Sequence, residues 1–210
     1  MEETVSIEVS DGPALEGWLG LAPELRGGLV MCHPHPLYGG DMENPVVIRA
    51  VEVAREAGLA TLRFNFRGVG GSQGVHDEGW GEMEDVRAAL TLLSAHLPGG
   101  VRSGLGGYSF GAWVAARLAA SMAQPPALAL IAPPLGMSDF DFLDGYRDEV
   151  LLVAGTRDEY CPTGDLDRLA KRLTAPTVRV IEGSDHFFFG KLYPLGEAIR
   201  EWIGSWVGSD

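Results

Sequence analysis

The sequence predicts an α/β fold, a mostly parallel sheet with helices on both faces. Three observations point there. From about residue 28, short apolar runs alternate with segments of helical periodicity, the pattern of strands joined by crossover helices. Runs such as 28–32 and 150–154 lack the in–out alternation of a half-exposed strand, so they suit a sheet covered on both sides. Finally, Gly107-Tyr108-Ser109-Phe110-Gly111, a Gly-x-Ser-x-Gly pentapeptide, stands between a strand-like and a helix-like run.

The elements follow in order. Val5, Ile7 and Val9 alternate with polar residues, Asp11-Gly12-Pro13 makes a turn, and 14–21 continues extended, so the chain opens on a hairpin. Residues 28–32 form a buried strand. Asn44 is an N-cap and Pro45 a first helical residue; Val47, Ala50, Val51 and Ala54 share one face of that helix, and Gly58 stops it. The next strand is 59–64. A long loop runs to about residue 79, before a helix with Met83, Val86, Leu90 and Leu93 at helical spacing. A glycine-diluted strand at 101–106 precedes Ser109. The helix at 110–121 is apolar on nearly all sides, as an element buried in the middle of a layered fold should be. Then come a strand at 127–131 ended by Pro133-Pro134, a strand at 150–154, a helix near 166–173 and a strand at 177–181. The closing helix carries Leu192, Leu195, Ile199, Trp202, Ile203 and Trp206. Trp202, Trp206 and Val207 pack either on the sheet or on another subunit, which leaves a homodimer open.

At 210 residues, with no repeat, low-complexity tract or linker, the chain reads as one domain over 1–210. A net charge of −13 argues against nucleic acid and against anionic membranes. No segment approaches the ~20 apolar residues of a membrane span. The acidic start, Met1-Glu2-Glu3-Thr4-Val5, lacks a signal pattern, so a cytoplasmic location is expected. Cys32 and Cys161 lie far apart without metal-ligand spacing, and are expected as reduced thiols. No cofactor and no metal are expected.

In parallel sheets ligands bind at the carboxyl ends of the strands, so functional residues should directly follow strands. Ser109 does, at a strand–turn–helix junction. A second match, Gly70-Gly71-Ser72-Gln73-Gly74, runs on into loop. A serine hydroxyl needs a base, and the base needs an acceptor to fix its tautomer. Of five histidines, His186 follows the last strand and satisfies the order serine, acid, histidine. His33 and His35 follow an early strand, His76 lies in the long loop, and His96 ends a helix as a surface or capping residue. Asp158 follows the 150–154 strand and is the expected acid; adjacent Glu159 remains open, and Asp185 is a candidate for capping the histidine loop. Two backbone N–H groups should hold an oxyanion. One is that of Phe110. The other belongs to the loop after the first parallel strand, where Pro34 and Pro36 have no N–H, leaving His35 or Leu37; His35 is favoured.

Further stretches carry a resemblance: His33-Pro34-His35-Pro36, Gly39-Gly40, Met42-Glu43-Asn44, the run Arg63-Phe64-Asn65-Phe66-Arg67-Gly68-Val69-Gly70-Gly71-Ser72, and Asp185-His186-Phe187-Phe188. With the serine pentapeptide they make the chain, from about residue 25, resemble the small lidless α/β-hydrolases. It is also similar to the dienelactone hydrolases, which use cysteine where this chain has Ser109. The resemblance implies an eight-stranded, mostly parallel sheet and a triad of Ser109, Asp158 and His186, with Ser72 in a structural loop. The expected function is cleavage of a small-molecule ester or thioester. A peptidase or perhydrolase on the same triad, or a binding module, are the rivals. Only 136–149, with Phe140, Phe142, Leu143 and Tyr146, stands where related folds insert a lid, so an open site is expected. Tyr38, Tyr108, Tyr160 and residues 187–189 either line it or pack beneath it.

Overall fold

A computed structural model describes residues 2–207. Its eight strands are β1 (Glu2–Glu8), β2 (Ala14–Gly20), β3 (Gly27–Cys32), β4 (Leu59–Phe64), β5 (Ser103–Tyr108), β6 (Ala127–Ile131), β7 (Glu149–Gly155) and β8 (Ala175–Ile181). They form one sheet in the order β1-β2-β4-β3-β5-β6-β7-β8. β1 and β2 pair antiparallel, as does β2 with β4; the other five pairings are parallel. Four helices cross over between strands, α1 (Pro45–Glu56), α2 (Trp80–Ala95), α3 (Phe110–Ser121) and α4 (Thr163–Ala170), and α5 (Leu192–Trp206) follows the last strand.

Helices cover both faces, which is why the central strands are apolar throughout. Along β3, Val30 and Cys32 face the core beneath α2 and α3, while Leu29 and Met31 face the core beneath α1 and α5. β7 divides the same way, Leu152 to one side and Leu151 and Val153 to the other. Trp202, Trp206 and Val207 are buried in the second of these cores, so they pack on the sheet and α1 within this chain. Among the described residues no helix is long and apolar enough to cross a membrane.

Local chemistry sets the boundaries. Asn44 Oδ1 accepts the Val46 N–H at 2.9 Å and Pro45 begins α1, while Gly58 takes φ 84° just past its end. Two expectations shift. The strand before Ser109 is β5, two residues later than 101–106, because Gly107 and Tyr108 still pair with Leu130 and Ile131 of β6. The helix expected near 166–173 is α4, three residues earlier, because the chain turns into it straight after Pro162. Leu173 packs from the following turn.

The chain reverses its direction across the sheet at β3. It runs outward from β3 to β4, then back past β3 to β5. The carboxyl ends of β3 and β5 therefore flank a switch point, the place where open α/β sheets bind ligands.

Candidate active site

At the end of β5 the backbone turns directly into α3 at Ser109, which has φ 54° and ψ −118°. Such a conformation costs a non-glycine residue about 1–3 kcal/mol. The surroundings enforce it: the Ser109 N–H donates to Ile131 O at 2.9 Å and the Ser109 carbonyl accepts Ala112 N–H at 2.9 Å. The two glycines of the pentapeptide allow the turn to close. A Cβ on Gly107 would collide with the Gly111 carbonyl, and one on Gly111 with the carbonyls of Cys32 and His33. The hydroxyl thus stands out from the sheet.

His186 lies on the loop after β8, with Nε2 3.1 Å from Ser109 Oγ. Its Nδ1 is 2.9 Å and 3.0 Å from the two carboxylate oxygens of Asp158, on the loop after β7. Asp158 is buried, and its Oδ1 also accepts the N–H groups of Tyr160 and Cys161, each at 2.9 Å. Glu159 is exposed. Asp185 Oδ1 accepts the Phe187 N–H at 3.0 Å, so it caps the histidine loop. Gly155 lets the two loops meet, since a Cβ there would collide with Ser184. Tyr108 adds a tie that the sequence did not disclose: its hydroxyl donates to the His186 carbonyl at 3.0 Å. Beyond it, Phe188 is fully buried at φ 54°.

The loop after β3 forms the opposite wall. His35 Nδ1 accepts the Leu37 N–H at 3.2 Å, and the His35 carbonyl accepts Tyr38 and Gly40 N–H groups. Leu37 N–H is therefore engaged, whereas His35 N–H makes no hydrogen bond with another described residue. Phe110 is the first residue of α3, so its N–H has no preceding turn to accept it. The His35 ring lies 4.7 Å from those of Tyr38 and Phe110 and 5.1 Å from His76. Burial, and secondly His76, hold His35 below the ordinary imidazole range. His76 Nδ1 is 2.8 Å from the buried carboxylate of Glu82, but out of line for a hydrogen bond.

Beneath this wall sits a polar buttress. Asn65 Oδ1 accepts the Met42 N–H at 2.8 Å and its amide donates to Glu16. Ser72 Oγ donates to Asn65 O at 2.6 Å and accepts the Glu16 N–H at 3.1 Å, so the second pentapeptide serine is structural. His33 Nε2 accepts the Phe66 N–H at 3.0 Å while Nδ1 donates to Pro34 O at 2.6 Å. His96 is exposed and bonds back to Leu92 O at 2.9 Å.

The walls enclose an open cleft of about 820 Å³, with Ser109 and His186 on its floor. Tyr38, Tyr108, Tyr160 and Phe187 line it, whereas Phe188 packs beneath. The 136–149 segment does not close over it: Phe140, Leu143 and Tyr146 are buried, and only Met137 and Ser138 reach the edge. Both cysteines are free and buried, and burial pushes both thiols up. Among the described residues no group of three or more His, Cys, Asp or Glu side chains is placed to hold a metal ion.

An α/β serine hydrolase homologue from Coxiella burnetii is 35% identical, with a TM-score of 0.87 over 95% of this chain and 96% of that one. A lidless α/β serine hydrolase from Xanthomonas campestris is 32% identical, with a TM-score of 0.89 over 100% of this chain and 96% of that one. The chain belongs to the lidless α/β serine hydrolases. An uncharacterised protein of Rickettsia prowazekii is 36% identical to this hydrolase over 183 residues, 83% of this chain and 77% of the relative. No protein-family model matches the chain.

Proposed function

We propose that this hydrolase cleaves small carboxylic esters or thioesters through an acyl-enzyme on Ser109. One observation carries the reading: Ser109 Oγ, His186 Nε2, His186 Nδ1 and the Asp158 carboxylate form an unbroken series of contacts at 3.1 Å, then 2.9 and 3.0 Å. Asp158 accepts the Nδ1 proton, which leaves the Nε2 lone pair facing the hydroxyl. Ser109 Oγ attacks the carbonyl carbon as its proton moves to Nε2. The acyl C–O or C–S bond then breaks, and the alcohol or thiol leaves with that proton. Water adds to the acyl group by the same route, and the proton returns to Ser109. The N–H groups of Phe110 and His35 hold the oxyanion in both steps; each such donor contributes about 3–4 kcal/mol.

The test is hydrolysis of p-nitrophenyl esters of rising chain length, beside acyl-thioesters and peptide amides. The wild type should turn over esters, and Ser109→Ala and His186→Ala should each lower kcat by about 10³-fold or more with the melting temperature little changed. Full activity in His186→Ala would mean another base.

A further inference from the structure

We propose that Tyr160 and Phe187 form the leaving-group subsite and select uncharged, apolar alcohols, so that the substrates are neutral apolar esters rather than phosphorylated thioesters. This rests on the serine-hydrolase reading above. In that chemistry the departing atom takes its proton from His186 Nε2, so the leaving group lies against the cleft side of the imidazole. Of the three cleft-lining rings beside that imidazole, two are exposed, Tyr160 at 4.8 Å and Phe187 at 5.6 Å between centroids. Tyr108, at 5.5 Å, is buried behind it and bonded to the loop.

Exposure and charge agree on the class of group that fits. Tyr160 and Phe187 are 44% and 56% exposed, although neither is needed in the core. Of the 11 large apolar side chains exposed among the described residues, five line this cleft: Leu37, Tyr38, Met137, Tyr160 and Phe187. Apolar surface gathered at one concave site marks the place where an apolar group is taken out of water. Among the described residues no lysine or arginine lines the cleft, and the one acidic side chain there is Glu78. With a net charge of −13 behind it, the cleft has no lysine or arginine to pair with a phosphate or carboxylate on the leaving group, and His35 on its wall is held below the ordinary imidazole range by burial.

The experiment is a set of butyrate derivatives that differ only in the leaving group: methyl, hexyl and benzyl esters, the glycolate ester with its free carboxylate, and butyryl-coenzyme A. In the wild type kcat/KM should rise from methyl to benzyl, mainly through KM, and the two anionic substrates should fall about 100-fold below benzyl. Tyr160→Ala and Phe187→Ala should each shrink the benzyl-to-methyl ratio about tenfold. Phe187→Arg should raise the glycolate-to-benzyl ratio. The wild-type series decides the point even where a variant folds poorly. Turnover of butyryl-coenzyme A or the glycolate ester as fast as benzyl butyrate overturns the proposal, as do ratios unmoved in both alanine variants. If no member is hydrolysed in a Ser109-dependent way, the serine-hydrolase reading itself fails, a result distinct from hydrolysis without leaving-group preference.

Discussion

Asp158 and Glu159 are neighbours with opposite surroundings. The first is buried among two N–H donors and an imidazole; the second is exposed. Asp158→Asn puts an amide where the imidazole proton must be accepted and favours the wrong tautomer. Its kcat on p-nitrophenyl acetate should fall about 10³–10⁴-fold while the circular dichroism spectrum is kept. His33 offers a prediction about stability. Burial lowers it from 6.5 to about 4, and both ring nitrogens are bonded in the neutral form. Because its folded pKa lies below the unfolded one, its contribution is complete above about pH 6.5 and fades as pH falls towards 4. The loss is at most about 3 kcal/mol. Urea unfolding between pH 7 and pH 4 measures it, and His33→Gln should flatten that part of the profile. An unchanged profile would remove His33 from the account. At this scale the sequence was informative at the carboxyl ends of strands, where Ser109 directly follows β5 and Asp158 and His186 lie on the loops after β7 and β8. It left His35 and Leu37 as alternatives, and the ring nitrogen that accepts the Leu37 N–H is the observation that supports His35 in the proposed mechanism. The bond from Tyr108 to His186 spans 78 residues, beyond the reach of any local pattern.

Elements were legible where chemistry punctuates the chain. α1 has Asn44, Pro45 and Gly58 as explicit signals, and its bounds follow them. α4 has no such signal: Pro162 caps it without a side-chain hydrogen bond, and Leu173 looks helical yet lies beyond its end. β5 was read two residues early because Gly107 and Tyr108 belong to the serine pentapeptide, whereas they are the last paired residues of the strand. At the junction of β5 and α3, the helix comes close against the end of β3. Gly111→Ala pushes a methyl against the backbone of Cys32, which pairs with Gly107 at the end of β3, and of His33, the next residue. Overpacking of this kind costs about 1–3 kcal/mol, and the urea midpoint should fall accordingly. Displacement of α3 should also move the Phe110 N–H and lower kcat in the same variant. Wild-type stability and kcat in Gly111→Ala would show that the turn tolerates a side chain.

The whole molecule exists to bring distant segments to one rim. Two cores fix the sheet from either side, and its carboxyl edge then carries the loops after β3, β5, β7 and β8. Ser109 and His186 stand 77 residues apart in sequence, and His186 and Asp158 28 apart, so the arrangement is a property of the folded chain alone. That gives the most direct measurement: label the protein with a fluorophosphonate, digest it, and locate the adduct by mass, with and without denaturing urea. The account predicts one adduct, on Ser109, formed by the folded protein, lost in urea and absent from Ser109→Ala. An adduct on Ser72, or labelling of Ser109 that persists at the same rate in the unfolded chain, would contradict it.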